Sequence, residues 1–74
     1  MVGVKVYWHA PIPAACELCS KPIESAFVDG KTSLGPWAIQ CDACHRSGLC
    51  KGKLGIGFGQ RFVRQRDGRY LKQI

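Results

Sequence analysis

Several residue types are rare or absent in the 74-residue sequence, and their absence excludes particular functions. It contains no asparagine, a single methionine at position 1 and only five acidic residues. Without asparagine, the chain cannot build the His/Asn arrangement of zinc-associated nucleases. No combination of serine, histidine and carboxylate suggests a catalytic triad either. These absences predict a protein that is not an enzyme.

Long hydrophobic runs are also missing. No stretch approaches the ~20 consecutive apolar residues that a membrane-spanning helix needs. The first 15 residues do not resemble a secretory signal, because Lys5 interrupts their apolar stretch and Pro11 and Pro13 break it. We therefore expect an intracellular chain without a membrane partner, in a compartment where thiols stay reduced.

The shortness of the chain makes its five cysteines important. Chains below roughly 70–80 residues bury little apolar surface and usually need disulfides, a metal or a partner. Five thiols cannot all pair within one chain, and a reducing compartment favours metal binding over disulfides. The sequence therefore predicts one metal-stabilised domain that covers residues 1–74.

Four of the cysteines form two Cys-x-x-Cys pairs separated by 21 residues. These are Cys16 with Cys19 and Cys41 with Cys44. A two-residue gap lets one tight turn direct both sulfurs at one point, and Zn²⁺ prefers four such ligands in a tetrahedron. The spacing predicts one Zn²⁺ per chain, bound by these four residues. Buried structural thiols or a redox pair are the alternative interpretation.

The string "CDACH" at 41–45 also matches the attachment signature of c-type haem. That cofactor is attached after export and usually needs a second axial ligand such as Met or His. The chain offers only its first residue and His9 for that role, so we expect no haem. His45 and Cys50 remain alternative zinc ligands, and His45 can instead lie beside the site and orient a ligand.

Sequence patterns predict short β-elements in the first half of the chain. Residues 2–8 alternate valine and tryptophan with other types and predict a strand, followed by an extended lead up to residue 15. Asp-Gly at 29–30 and Gly-Pro at 35–36 predict turns. The stretch "WAIQ" at 37–40 predicts a strand that leads into the second cysteine pair.

The second half is rich in glycine and then in basic residues. A helix can begin at Cys41 but not run far past Gly48. "GKLGIGFGQ" at 52–60 lacks the residues of a Walker A or dinucleotide loop, so its glycines predict close backbone packing. The tail predicts a hairpin that turns at Asp67-Gly68.

Together these elements predict a small metal-stabilised domain that is mainly β. The fold is zinc ribbon-like, with short hairpins and at most one short helix after Cys41. We divide it into a lead at 1–15, a four-cysteine ribbon at 16–50, and a glycine-rich stretch with a basic C-terminal hairpin at 51–74.

The net charge of +6 is unevenly distributed. Residues 1–45 carry a net charge of −1, whereas residues 46–74 carry +7. Such asymmetry indicates an acidic partner, with nucleic acid as the first candidate and an acidic protein surface as the second. A merely solubilising surface is the alternative. Cations interleaved with rings suit phosphates and stacked bases. The candidate binding residues are Arg61, Arg64, Arg66, Arg69, Lys72 and Tyr70.

Three aromatic residues, Trp37, Phe27 and Phe62, are candidates for a small core around the metal. Trp8 and Trp37 could instead stack on bases, as could Phe62 among the cations of the hairpin. We expect Trp37 and Phe27 to belong to the core, because few other large apolar residues exist to make one.

The cysteine knuckles joined by a short hairpin resemble zinc ribbon and treble-clef fingers. GATA-type fingers similarly place their second cysteine pair at a helix start, though nothing else here matches them. More closely, "CELCSKPI", "FVDGKTSLGPWAIQCDACH", "LGIGFGQRF" and "DGRYLK" resemble small zinc-ribbon proteins encoded by tailed phages, over roughly residues 16–72. The resemblance implies zinc and a phage origin, but no particular activity. Ser20 and His45 depart from it, since ribbon turns often carry glycine there.

The resulting function classes are a non-catalytic binding module, a structural component of a phage particle or larger assembly, and an enzyme. The enzyme is disfavoured because four cysteine ligands leave zinc no open position for water. The resemblance implies the cytoplasm of the host cell, with the virion as the second location.

Overall fold

The computed structural model describes residues 5–48 and 51–73 of the chain. Within these residues one four-stranded antiparallel sheet carries a single short helix. In chain order the elements are β1 Ala26–Lys31, β2 Trp37–Gln40, α1 Asp42–Ser47, β3 Gly59–Arg64 and β4 Tyr70–Lys72. The strand order across the sheet is β2-β1-β3-β4. The predicted fold class is confirmed: a small, mainly β domain with one short helix after Cys41 and a cluster of four cysteines.

The core lies on one face of the sheet and is built from aromatic rings. Phe27 of β1 pairs directly with Phe62 of β3, so their side chains share a face and stack with centroids 5.4 Å apart. Tyr70 lies 5.1 Å from Phe27, and all three rings are buried. Trp8 covers them edge-on, at 5.1 Å from Phe27 and 5.2 Å from Phe62. The core placement predicted for Phe27 is confirmed, and Phe62, left open by the sequence, also belongs to the core.

The prediction that Trp37 belongs to this core is wrong. Trp37 is 45% exposed at the start of β2, whereas Trp8 from the N-terminal lead packs over the buried rings. The reason is register: Trp37 pairs with Lys31 at the far end of β1, beyond the buried part of the strand. Trp8 from the N-terminal lead therefore covers the aromatic core, and Trp37 of the β1–β2 hairpin does not.

The turn predicted at Asp29-Gly30 is also wrong, since both residues lie inside β1. The chain turns between residues 32 and 36 instead, where Thr32 Oγ1 donates to the Pro36 carbonyl at 2.6 Å. Glycine is needed at 30 for packing and not for a turn. A Cβ added at Gly59, its partner on β3, would lie 2.9 Å from the Gly30 Cα. Close packing is thus confirmed at Gly59, whereas a Cβ at Gly55 or Gly57 would meet nothing within 4 Å.

The N-terminal strand predicted for residues 2–8 falls partly on residues 1–4, outside the described residues. Of the remainder, Tyr7 forms an isolated antiparallel bridge with Leu71 of β4. The Lys72 N–H donates to the Val6 carbonyl at 2.7 Å, and the Trp8 N–H donates to the Tyr70 carbonyl at 2.9 Å. The lead therefore runs along the outer edge of β4 without forming a named strand in residues 5–15.

The second half of the chain follows its predictions. Helix α1 begins after Cys41 and ends before Gly48. Strands β3 and β4 form a hairpin whose turn contains Asp67-Gly68, with the Gly68 N–H donating to the Gln65 carbonyl at 3.0 Å. In the part of the chain that the structure describes, no helix has the length and apolar character needed to cross a membrane.

Candidate metal centre

The first cysteine pair sits in a tight turn between residues 15 and 22. The Cys16 N–H donates to the Lys21 carbonyl at 2.8 Å, and the Ser20 N–H donates to the Cys16 carbonyl at 2.9 Å. Within the turn, the Leu18 N–H lies 3.4 Å from Cys16 Sγ and donates to it. Ser20 adopts a left-handed backbone with φ of +66°. The turn keeps the geometry for which glycine is favoured, even though serine occupies the position.

The second cysteine pair sits where β2 passes into α1. Cys41 is the N-cap of the helix, with an extended backbone, and Cys44 lies in the first turn. The Cys44 N–H donates to Cys41 Sγ at 3.5 Å, so the sulfur takes the place of the usual capping oxygen. His45, which follows the pair, lies within the helix. The glycine conformation expected of ribbon turns is therefore not needed after this second pair.

Residue Glu17 joins the two cysteine pairs. Its N–H donates to the Ile39 carbonyl at 2.9 Å, and the Ile39 N–H donates to Glu17 Oε1 at 2.6 Å. The first turn is thereby fixed to β2, two residues before Cys41. Because backbone and side chain both take part, the two pairs are held at one edge of the sheet by bonds independent of the sulfurs.

The four cysteine sulfurs converge at this edge. The Sγ atoms of Cys16, Cys19, Cys41 and Cys44 all lie within 4.8 Å of one another. Cys19 Sγ and Cys41 Sγ, one from each pair, are 3.7 Å apart. A regular tetrahedron of thiolates with Zn–S near 2.3 Å has edges of about 3.8 Å. Four cysteines are therefore positioned to hold a metal ion, and their donor set is one that soft and borderline-soft ions prefer.

Two thiols of the cluster have pKa values that are shifted in opposite directions. Burial raises the pKa of Cys16, but backbone N–H donors, from Cys41, Cys19 and Leu18, outweigh burial and lower this pKa to about 6. Burial together with contacts to the three other thiols raises the pKa of Cys44 to about 12. The cluster therefore favours a thiolate at Cys16 and a protonated Cys44. Four thiolates together need a compensating cation.

Of the two alternative metal ligands, the structure describes only His45. His45 is buried but lies outside the sulfur cluster, and its Nε2 lies 2.7 Å from the Lys53 carbonyl oxygen. The carbonyl accepts, so Nε2 carries the hydrogen, while Nδ1 has no partner among the described residues. His45 thus ties the loop after α1 to the helix. Cys50 lies outside the described residues.

The six candidate binding residues have different environments in the structure. Arg61 Nε and Nη2 donate to the two carboxylate oxygens of Asp42 at 2.9 and 2.8 Å, which joins β3 to α1. Tyr70 is 4% exposed and belongs to the core, so its predicted role as a stacking ring does not fit its burial. The other four, on the β3–β4 hairpin, are Arg64, Arg66, Arg69 and Lys72.

Two residues that organise the site were not singled out from the sequence. Glu17 accepts from Ile39, and Asp42 binds Arg61. Each partner is about twenty positions away in the chain, so no local pattern indicates the contact. The acidic residue directly after the N-cap cysteine was the one available signal, because carboxylates favour the first turn of a helix.

Comparison with known proteins does not assign the chain to a family. No protein-family model, no curated protein and no solved structure matches the chain.

Proposed function

We propose that this chain is a non-catalytic zinc-binding module that contacts nucleic acid through its basic β3–β4 hairpin. The observation that carries the zinc proposal is the convergence of four sulfurs within 4.8 Å. Four cysteine ligands close the coordination sphere of Zn²⁺, which leaves no position for a reactive water. The metal in this proposal stabilises the fold, and the surface of the domain performs the function.

The hairpin supplies positive charge in an exposed position. Arg64 and Arg66 are exposed beside the turn. Arg69 is also exposed; its Nε donates to Asp67 at 2.7 Å, and its guanidinium lies 4.1 Å from the Tyr7 ring centroid. Since Tyr70 is buried, charge rather than ring stacking dominates this surface. We infer contacts to backbone phosphates, which attract without reading sequence.

The proposal can be tested by measuring how binding affinity changes with salt concentration. The ligands are a labelled DNA duplex and a single strand of the same sequence. For the duplex, each cation that neutralises a phosphate contributes about 0.9 to the slope of log K against log salt. The double variant Arg64→Gln/Arg66→Gln should bind more weakly and reduce that slope by about two. Lys21→Gln, which removes an exposed charge beside the cysteine turn, is the control and should leave the slope nearly unchanged. Wild-type binding that is absent, or insensitive to salt, would refute the nucleic-acid proposal.

The same charge also fits an acidic protein surface, so a structural role in a larger assembly is the second candidate. The resemblance to phage zinc-ribbon proteins supports a phage particle as that assembly, with the host cytoplasm as the site of synthesis. Co-purification with particles at a fixed stoichiometry, in high salt, would favour this role over nucleic-acid binding.

A further inference from the structure

Two neighbouring loops expose large apolar side chains at the end of the sheet opposite the basic hairpin. Leu34 in the β1–β2 loop is 89% exposed, and Ile56 in the loop before β3 is 102% exposed. Trp37 and Phe58, where these loops meet the strands, are 45% and 40% exposed. We call these four side chains the apolar tip. The tip lies where β3 begins, whereas the basic hairpin lies where β3 ends.

Hydrogen bonds hold the two loops side by side. The Lys31 N–H donates to the Phe58 carbonyl at 3.1 Å, which joins the end of β1 to the second loop. Thr32 closes the first loop through its bonds to Pro36, and the Gly55 N–H closes the second by donating to the Gly59 carbonyl at 2.8 Å. The exposed side chains are therefore carried on closed turns that belong to one end of the sheet.

The two loops that carry the tip contain no acidic residue. No acidic residue occurs between Asp29 and Asp42, or between Asp42 and Asp67. Both loops lie within these intervals. Lys53 places its Nζ 5.7 Å from the centroid of the Phe58 ring, so a positive charge lies directly beside the apolar surface. An occupant of the tip therefore has to combine an apolar interior with negative charge around it.

We propose that the apolar tip docks on the surface of an anionic lipid bilayer. Leu34 and Ile56 would enter the boundary between headgroups and acyl chains, with Trp37 at headgroup level and lysines beside lipid phosphates. This peripheral contact needs no spanning segment, so it replaces the expectation from the sequence that no membrane takes part. The proposal is independent of the nucleic-acid proposal, because it uses the opposite end of the sheet.

Other occupants fit the tip less well. The tip loops of a second copy of the chain would offer no acidic side chain to the lysines. Nucleic acid offers phosphates, and Trp37 and Phe58 could stack on bases. The two most exposed side chains, Leu34 and Ile56, are aliphatic and cannot stack as rings do. A protein partner would need a deep apolar groove for each fully exposed side chain and an acidic rim around both. A bilayer interface supplies both properties without shape complementarity.

Co-sedimentation with vesicles tests the docking proposal on the full zinc-loaded chain. We expect binding to vesicles of phosphatidylcholine mixed with phosphatidylserine, and much weaker binding to phosphatidylcholine alone. Leu34→Ser/Ile56→Ser should lower the partition coefficient by about tenfold or more. Both side chains are solvent-exposed, and unchanged zinc content and circular dichroism would show that the variant is folded. Trp37 fluorescence should shift to the blue on binding, and Trp37→Phe should abolish that shift.

Matched charge variants separate the tip from general cationic attraction. Lys53→Gln should lower the partition coefficient by about fivefold, because one lysine near an anionic surface contributes roughly that factor. Arg64→Gln, at the opposite end of β3, should lower it less. A wild-type chain that ignores anionic vesicles would overturn the proposal, as would equal effects of the two charge variants. A dimer broken by the Leu34→Ser/Ile56→Ser variant would assign the tip to a second copy instead.

Discussion

At the residue scale, two thiols of the sulfur cluster differ in acidity. Cys16 is buried beside three N–H donors, and its pKa is lowered to about 6, whereas the pKa of Cys44 is raised to about 12. A metal ion that binds the Cys44 sulfur must displace the proton of that thiol. Metal binding should therefore release protons and weaken as the solution becomes more acidic.

The choice of ligands can be tested by comparing two cysteine variants. Cys41→Ser removes one sulfur of the cluster and the acceptor that caps α1, so we expect loss of bound zinc and unfolding of the central part of the chain. Cys50→Ser, the matched control, should retain one zinc per chain. Elemental analysis and heteronuclear NMR spectra of both variants give the measurement. Equal damage from the two substitutions would mean that the ligand set is wrong.

Asp29 carries a pH-dependent cost. Burial, followed by the negative charge of Glu17, raises the pKa of Asp29 above its ordinary value of 3.8. A group whose pKa is raised by folding stabilises the fold below its unfolded pKa, and this contribution is lost as the pH rises through the folded pKa. At pH 7 the ionised side chain therefore weakens the fold.

We expect Asp29→Asn to raise the free energy of unfolding at pH 7. The gain should shrink as the pH falls, because protonation relieves the same cost in the wild-type chain. Urea denaturation at neutral and mildly acidic pH, with zinc present, measures both values. Asp67→Asn is the control: Arg69 lowers the pKa of this exposed carboxyl, so the substitution should bring no gain. A gain that grows towards acid pH would contradict the assignment.

At the scale of elements, a bidentate ion pair joins α1 to β3. Arg61 of β3 binds both carboxylate oxygens of Asp42, and Gln73 accepts from Arg61 Nη1 at 2.8 Å. The pair is partly exposed, with side chains 29% and 35% accessible. This contact fixes α1, and with it Cys44, against the strand that carries the hairpin charges. Arg61 is therefore a connecting residue rather than a free cation of the binding surface.

Removing this ion pair should loosen the helix. We expect Arg61→Gln to lower the free energy of unfolding by about 1 kcal/mol, a value at the upper end for pairs with this solvent exposure. A double-mutant cycle with Asp42→Asn measures the coupling between the two side chains. Arg64→Gln, on the same strand but exposed, should change stability much less. A coupling energy near zero would show that the contact does not contribute to stability.

The whole molecule has a very small interior. The buried hydrophobic residues among those described are Cys16, Phe27, Val28, Phe62 and Tyr70. Cys16 is itself a member of the sulfur cluster, which leaves Phe27, Phe62 and Tyr70 as the aromatic core. A structural zinc site can supply an apparent binding free energy of about 10–16 kcal/mol, which is comparable to the whole stability of a typical domain.

Metal removal should therefore unfold the protein. We expect excess chelator to abolish the near-ultraviolet circular dichroism of Trp8, which packs edge-on against two core rings. Added Zn²⁺ should restore the signal at a ratio of one ion per chain. Magnesium added at the same concentration is the control and should have no effect, since it prefers oxygen ligands. A chelated chain that keeps its spectrum would show that the aromatic core suffices without metal.

Features that depend on neighbouring residues could be predicted from the sequence. Cysteine spacing indicated the four converging sulfurs, "WAIQ" indicated β2, Gly48 limited α1, and Asp67-Gly68 indicated the last turn. Each is a local property, because the backbone preference or ligand spacing lies within a few positions. A local pattern can still mislead, as at Asp29-Gly30, where strand pairing overrides the turn preference.

Which side chains are buried and which are exposed depends on contacts between distant parts of the chain. Strand register placed Trp37 at the sheet end and Tyr70 in the core, while the N-terminal lead brought Trp8 over Phe27. The same register brought Arg61 to Asp42 from nineteen positions away. Such contacts depend on the pairing of distant strands, and a one-residue change of register moves every side chain to the opposite face. For that physical reason, composition and spacing could indicate the metal centre but not the surface that surrounds it.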